Sequence, residues 1–193
     1  MELKHVAKKA AKKAAKKAPA KHAAKHAAKA AGNRGKDTQR AYEHLGRVQS
    51  LGSKMTNEDI VGAKTIAEYA EQSLRAGEVK DAAELLRAAE HHLFGTLALA
   101  QPADQGISAE LLATIREQQD HFKARAADHG ACETAPRAIA SLYKDAWKRA
   151  AAALRAKQYT ASLEFARAAE ALTHANFAKL LSAPQQTRAL KAK

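Results

Sequence analysis

The feature that most constrains the fold is that the chain repeats itself. Leu74-Arg75-Ala76, Glu84, Arg87-Ala88-Ala89-Glu90 and Ala98 recur as Leu154-Arg155-Ala156, Glu164, Arg167-Ala168-Ala169-Glu170 and Ala178, each 80 residues further on and without a gap. Nine of these twenty-five paired positions are identical. Chance similarity between Ala/Glu/Arg-rich helices is the plain alternative; a gapless match of this length favours duplication. Each copy lies where one helical pattern ends, the chain turns and a second begins. That is a helical hairpin used twice, and such hairpins build bundles or solenoids.

The surrounding pattern is helical throughout, with almost no alternating β-branched run that would make a strand. Asp37 is expected to cap a short helix in which Tyr42, Leu45 and Val48 recur, weakened by Gly46 and ended at Gly52-Ser53. Thr56 or Asn57 caps the next, with Glu58 and Asp59 in its first turn and Ile60, Ala63, Ile66, Ala67, Ala70 and Leu74 on its apolar stripe. Gly77 marks the turn. Val79, Ala82, Leu86, Ala89, Leu93 and Leu97 line the return helix. Pro102 and Gly106 bracket a loop, and Ser108 caps a helix carrying Leu111, Ile115 and Phe122 that Gly130 ends. Thr134 and Pro136 start another, with Ile139, Leu142, Tyr143, Ala146, Ala150 and Leu154 inward. The last carries Tyr159, Ala166, Ala169, Thr173, Phe177 and Leu180, with Pro184 beyond it. The reading is an all-α helical bundle of about five helices over 37–183, with a duplicated hairpin, a disordered basic tail over 1–36 and a frayed end over 184–193.

Charge is divided unevenly. Residues 1–36 hold eleven Lys and one Arg against one Glu, a balance of +11, whereas residues 37–193 hold twenty-one basic and nineteen acidic residues, a balance of +2. A polyanionic partner is therefore implied for the tail and not for the folded part. The tail repeats with a period of four. Lys8, Lys12 and Lys16 share one side of a helix, as do Lys21, Lys25 and Lys29. Like charges at that spacing repel, so the free tail is expected to be disordered and to gain helix when a polyanion removes the repulsion, with Pro19 breaking it between the halves. The groups expected to meet phosphates are Lys4, Lys8, Lys9, Lys12, Lys13, Lys16, Lys17, Lys21, Lys25, Lys29, Arg34 and Lys36.

The Lys-Lys-Ala-Ala repeats from Lys8 to Lys17, and Lys-His-Ala-Ala from Lys21, resemble the tails of linker histones and of linker-histone-like bacterial DNA-binding proteins. That resemblance covers about a fifth of the chain and implies sequence-independent DNA binding and compaction. The first hairpin is similar to a tetratricopeptide unit at Ala70, Gly77, Val79, Ala82, Leu86 and Ala89. In the second copy Lys157 and Ser162 replace the turn Gly and one Ala, and the 80-residue offset departs from that family's 34-residue period. The second hairpin also resembles HEPN domains, whose ribonuclease members carry Arg followed by His after four to six residues. Arg87–His92, Arg116–His121 and Arg167–His174 fit, but with twelve Arg and nine His about two such pairs arise by chance. The polar residue that often follows the motif's Arg is Ala88 or Ala168 here.

Other chemistry finds little purchase. Cys132 is the only cysteine, so an intrachain disulfide and a multi-cysteine zinc site are excluded. His22 and His26 are a weak metal pair without a third ligand. Over residues 37–193 no Glu lies three residues before a His, which argues against a ferritin-like di-iron site. There is no P-loop, no Gly-rich dinucleotide turn and no HExxH. Of His91 and His92, one is expected to face solvent and one to edge the core; Trp147 and Tyr143 read as core aromatics. No apolar run reaches the ~18 residues of a membrane span. The N-terminus lacks the apolar stretch of a secretory signal, and its Lys and Ala differ from the Arg and Ser of transit peptides. The expectation is a non-enzymatic, cofactor-free and metal-free protein, cytoplasmic and on the nucleoid if bacterial. It binds nucleic acid, DNA ahead of RNA, through its tail, and its helical core serves as a dimerisation or partner-binding module. A helical protein–protein interaction scaffold and a HEPN-like RNase are the alternatives.

Overall fold

The computed structural model describes residues 35–104, 106–130 and 132–178, and these are all-α, with no strand among them. The tail up to Arg34, and Leu180, Pro184 and residues 184–193 that were expected to fray, lie outside the described residues. Six helices are laid out in order: α1 over 35–52, α2 over Asn57–Arg75, α3 over Val79–Leu99, α4 over Ala109–Asp128, α5 over Arg137–Arg155 and α6 over Tyr159–Thr173.

Local chemistry accounts for the boundaries. The Thr56 hydroxyl accepts from the Asp59 backbone N–H and donates to the Asp59 carboxylate at 2.5 Å, closing the first turn of α2. Ser108 accepts from Leu111 N–H at 3.2 Å and opens α4. The α2–α3 turn runs through Gly77 at φ +78°, the left-handed region that glycine adopts without cost. Gly77 N–H bonds to Leu74 C=O and Glu78 N–H to Ser73 C=O, the paired closure of a Schellman turn. The α5–α6 turn is built alike: Lys157 N–H bonds to Leu154 C=O and Gln158 N–H to Ala153 C=O, but here Lys157 takes the left-handed place at φ +59°. No side chain of its own caps α6. Instead Asp104, from the α3–α4 loop, accepts from Tyr159 N–H at 3.0 Å and sets a carboxylate at the positive end of the helix.

Two helices form the centre. α3 and α6 pack on each other; α1 and α2 lie against α3, and α4 and α5 against α6. The central pair is consequently buried nearly all round. In α3 that includes Leu85 and Leu86 side by side, and in α6 Ala161, Phe165, Ala166, Ala168 and Ala169. Glycine and alanine permit the close approach. A Cβ on Gly95 would sit 3.0 Å from the Phe165 ring of α6, and one on Gly62 of α2 would sit 2.9 Å from the His92 ring of α3.

Several sequence expectations shift. Gly35 and Lys36 are already helical, so Asp37 lies inside the first turn of α1 and does not cap it. The inward stripe of α1 is Ala41, Leu45, Val48 and Leu51, leaving Tyr42 67% exposed, because the buried positions follow a spacing of three and four and not a strict three. Leu111 is turned out, at 48% exposure, and Leu112 takes its place; the stripe of α4 then runs through Ile115 and Phe122 as expected, with Gln119 and Ala126 added. α6 stops at Thr173, short of Phe177. Asn176 Oδ1 then accepts from Ala178 N–H and starts a new turn that returns Phe177 to the core.

Candidate nucleic-acid interface

Of the twelve basic residues expected to meet phosphates, Lys4, Lys8, Lys9, Lys12, Lys13, Lys16, Lys17, Lys21, Lys25, Lys29 and Arg34 fall outside the described residues. Lys36 is described, exposed in the first turn of α1. What the structure adds concerns the charges of the folded unit: buried carboxylates that are paired, and a groove with four cations around it.

The interior holds three nearly buried glutamates, Glu84 and Glu90 at 7% and Glu170 at 3% exposure, each compensated by cations. An uncompensated buried carboxylate costs several kcal/mol, roughly, which is why each has partners. Glu90 of α3 accepts from His44 at 2.5 Å and Arg47 at 2.8 Å, both on α1. Burial by itself pushes the Glu90 carboxyl up; the hydrogen bonds and charges of His44 and Arg47 outweigh it and hold the group below its ordinary value. Glu170 of α6 gathers Arg125 of α4 at 2.8 Å, His174 at 2.6 Å and Arg87 of α3 at 3.2 Å. Arg87 also lies 2.9 Å from Glu84 Oε2, close as an ion pair but without the alignment of a hydrogen bond. Glu164 takes His91 at 2.6 Å and Arg167 at 2.5 Å, and Arg167 spreads over the Phe122 ring. There too burial raises the carboxyl and the two cations more than reverse it. These links tie α1 to α3, α3 to α6 and α4 to α6.

None of the three Arg–His pairs is brought together as a pair. Arg87 points to Glu84 and Glu170, while His92 lies among Gly62, Leu142 and Phe165. Arg167 goes to Glu164 and His174 to Glu170. Arg116 and His121 are both exposed on α4. Arg87 and His174, from different pairs, instead meet on the one carboxylate of Glu170. His92 is 3% exposed and its Nδ1 has no partner among the described residues. Burial, reinforced by the charge of Arg149 and partly opposed by Asp145, brings its pKa down to about 4, so it is neutral at pH 7. The expectation that one of His91 and His92 faces solvent is thus revised: His91 is ion-paired and His92 is interior. Cys132 is buried, and burial pushes its thiol up to about 12, which leaves no thiolate for nucleophilic work at neutral pH. Among the described residues no three His, Cys, Asp or Glu side chains are placed to hold a metal ion, and no helix is long and apolar enough to cross a membrane.

The groove lies between α4 and α5. Both helices pack on α6 and scarcely on each other, which leaves a cleft of about 580 Å³ between them. Arg116, Gln119, Asp120 and Lys123 of α4 form one wall; Trp147, Lys148, Ala150, Ala151, Leu154 and Arg155 of α5 form the other wall and the floor. A net balance of +2 over the folded part concealed this gathering of cations. The signal was present in the spacing, since Arg116 and Lys123, and Lys148 and Arg155, are each seven residues apart and so share a helix face.

Compared with known protein families, curated proteins and solved structures, the chain gives no match.

Proposed function

We propose that this chain is a non-enzymatic, sequence-independent nucleic-acid-binding protein, DNA ahead of RNA, in which the tail carries the affinity and the helical core serves as a dimerisation or partner-binding module. The observation that carries the reading is the segregation of charge, +11 within the first 36 residues against +2 over the remaining 157. Lysine is a flexible point charge, and a run of them offers phosphate contacts without a rigid group to read bases. On this reading the protein works in the cytoplasm, on the nucleoid if bacterial.

The core is best read as a duplicated unit. Supporting this, α2 and α5 both begin and end 80 residues apart, as do the starts of α3 and α6, and the two turns share their hydrogen-bond closure.

Titration of labelled duplex DNA with the full chain tests the tail. If eight basic groups meet phosphates, affinity falls with salt at a log–log slope of about −7. Changing Lys8, Lys9, Lys12, Lys13, Lys16 and Lys17 to Gln should weaken binding and flatten that slope by about 5. Equal affinity and slope in that variant would refute the tail.

A further inference from the structure

The folded unit pairs its buried carboxylates, whereas many surface cations, Lys54, Lys64, Lys80, Arg137 and Lys144 among them, have no carboxylate partner among the described residues, and four such cations gather around one cleft. Glu84, Glu90, Glu164 and Glu170 each hold cations within 3.7 Å or closer. Arg116, Lys123, Lys148 and Arg155, around the α4–α5 groove, are exposed, and none is paired with a carboxylate among the described residues. Asp120 is the single acid that lines the groove with them. Four like charges held along one cleft repel each other, which is unfavourable for the free protein and favourable for an anion that enters.

The shape of the cleft narrows the anion. Each rim carries two cations seven residues apart, about two helical turns, so positive charge runs along both sides of the groove and not at one point. Between the rims lie Ala150, Ala151, Leu154 and the Trp147 indole, a floor with little polar surface. A small inorganic ion would use one rim and leave the apolar floor wet. The backbone of duplex nucleic acid would meet the rims but has nothing to place on the floor. A single strand supplies both parts: phosphates for the rims and a base for the indole and the alanines.

We infer that the α4–α5 groove is a second nucleic-acid site, taking a single-stranded segment with its phosphates between the Arg116/Lys123 and Lys148/Arg155 rims and a base against Trp147. The inference builds on the tail reading, since the tail would deliver the nucleic acid that the groove engages. Double-stranded DNA would be held by the tail, and a splayed strand by the core.

Trp147 is the only tryptophan of the chain, so its emission reports the groove and nothing else. The full chain is titrated with an oligothymidylate of about 16 nucleotides, the upper site size of a single-strand groove. Anisotropy of a labelled copy reports total binding, and tryptophan emission reports groove occupancy. A full-length variant with Arg116, Lys123, Lys148 and Arg155 all changed to Gln leaves the buried core untouched, and its far-ultraviolet dichroism should match that of the parent. The expected result is quenched Trp147 emission in the parent, a several-fold weaker affinity in the variant, and a salt slope flatter by about 3. Binding by anisotropy with unchanged tryptophan emission and an unchanged slope in the variant would overturn the groove while sparing the tail. Quenching that survives the Lys→Gln tail and is lost with the groove cations would uphold the groove and remove the tail. Quenching by duplex of the same length but not by the single strand would overturn the assignment of a strand. No binding of either nucleic acid would overturn both readings.

Discussion

Three glycines in helix interiors offer a controlled measurement of how tightly the core is packed. Gly46 in α1 is exposed, and a Cβ there would meet nothing within 4 Å. Gly62 in α2 faces the buried His92 ring, where a Cβ would come within 2.9 Å of both Cε1 and Nε2 and 3.2 Å of Leu142 Cδ2. Gly95 in α3 faces the Phe165 ring at 3.0 Å. Replacing glycine with alanine inside a helix gains about 0.8–1 kcal/mol from backbone entropy wherever the position lies. Gly46→Ala should keep that gain. At Gly62 and Gly95 the new methyl must displace an aromatic ring with no free end to yield, because His92 is wedged edge-on against Phe165 with ring centroids 5.6 Å apart. Overpacking of this kind costs about 1–3 kcal/mol. The propensity gain cancels in the comparison, so Gly62→Ala should be about 1–3 kcal/mol less stable than Gly46→Ala, and Gly95→Ala similarly. Urea unfolding followed by dichroism at constant m-value reads the difference. A double-mutant cycle with His92→Ala assigns it to the ring contact. Equal stabilisation by all three alanines would show that the α2–α3 and α3–α6 approaches are looser than described, and the packing argument would fail.

Three more outcomes follow from individual residues. Lys157→Gly should stabilise by about 1 kcal/mol, since a lysine now occupies the left-handed turn position that Gly77 fills in the other hairpin, and an unchanged unfolding midpoint would count against strain there. His92 is held near pKa 4 when folded against 6.5 when free, so the unfolded chain binds the extra proton; the associated stability is intact above pH 6.5 and is lost progressively as pH falls towards 4. This predicts about 2 kcal/mol less stability at pH 5 than at pH 7, a part that His92→Leu should remove, and an equal acid response in that variant would contradict the burial argument. Cys132 should react with a thiol reagent at the rate of unfolding and not of simple collision, because its thiol is both buried and pushed up to about 12; immediate labelling of native protein would refute this.

The parts of the fold that were legible in the sequence are those that local chemistry decides. Thr56, Ser108, Gly77 and Pro136 marked helix ends because caps and left-handed turns depend on a few neighbouring atoms. The repeat at an offset of 80 residues placed the two hairpin turns for the same reason. What the pattern did not reveal was which helices are central. α3 and α6 were read as carrying one apolar stripe each, but they are buried on several sides, and the additional sides are written in Ala, Glu and His, which also suit a solvated face. Glu84, Glu90 and Glu170 look like surface residues until their partners arrive from α1, α3 and α4. The α4–α5 groove was hidden for a related cause: it forms because two helices stand on a third and scarcely pack on each other, and such a gap leaves no trace in either helix alone.

The central position of α3 has a consequence during synthesis. When Leu99 has emerged, α1 and α2 can already lie against α3, yet the side that α6 will cover is still open to water. α6 is complete only at Thr173, and the intervening 74 residues take roughly 4–15 s at 5–20 residues per second. Throughout that interval the nascent chain displays Leu85, Leu86 and their neighbours with one flank bare, while the lysine-rich leader that preceded them is already outside the ribosome. The balance of +11 over residues 1–36 is a like charge on every such chain, and like charge opposes the close approach of one nascent chain to the next while that flank is open.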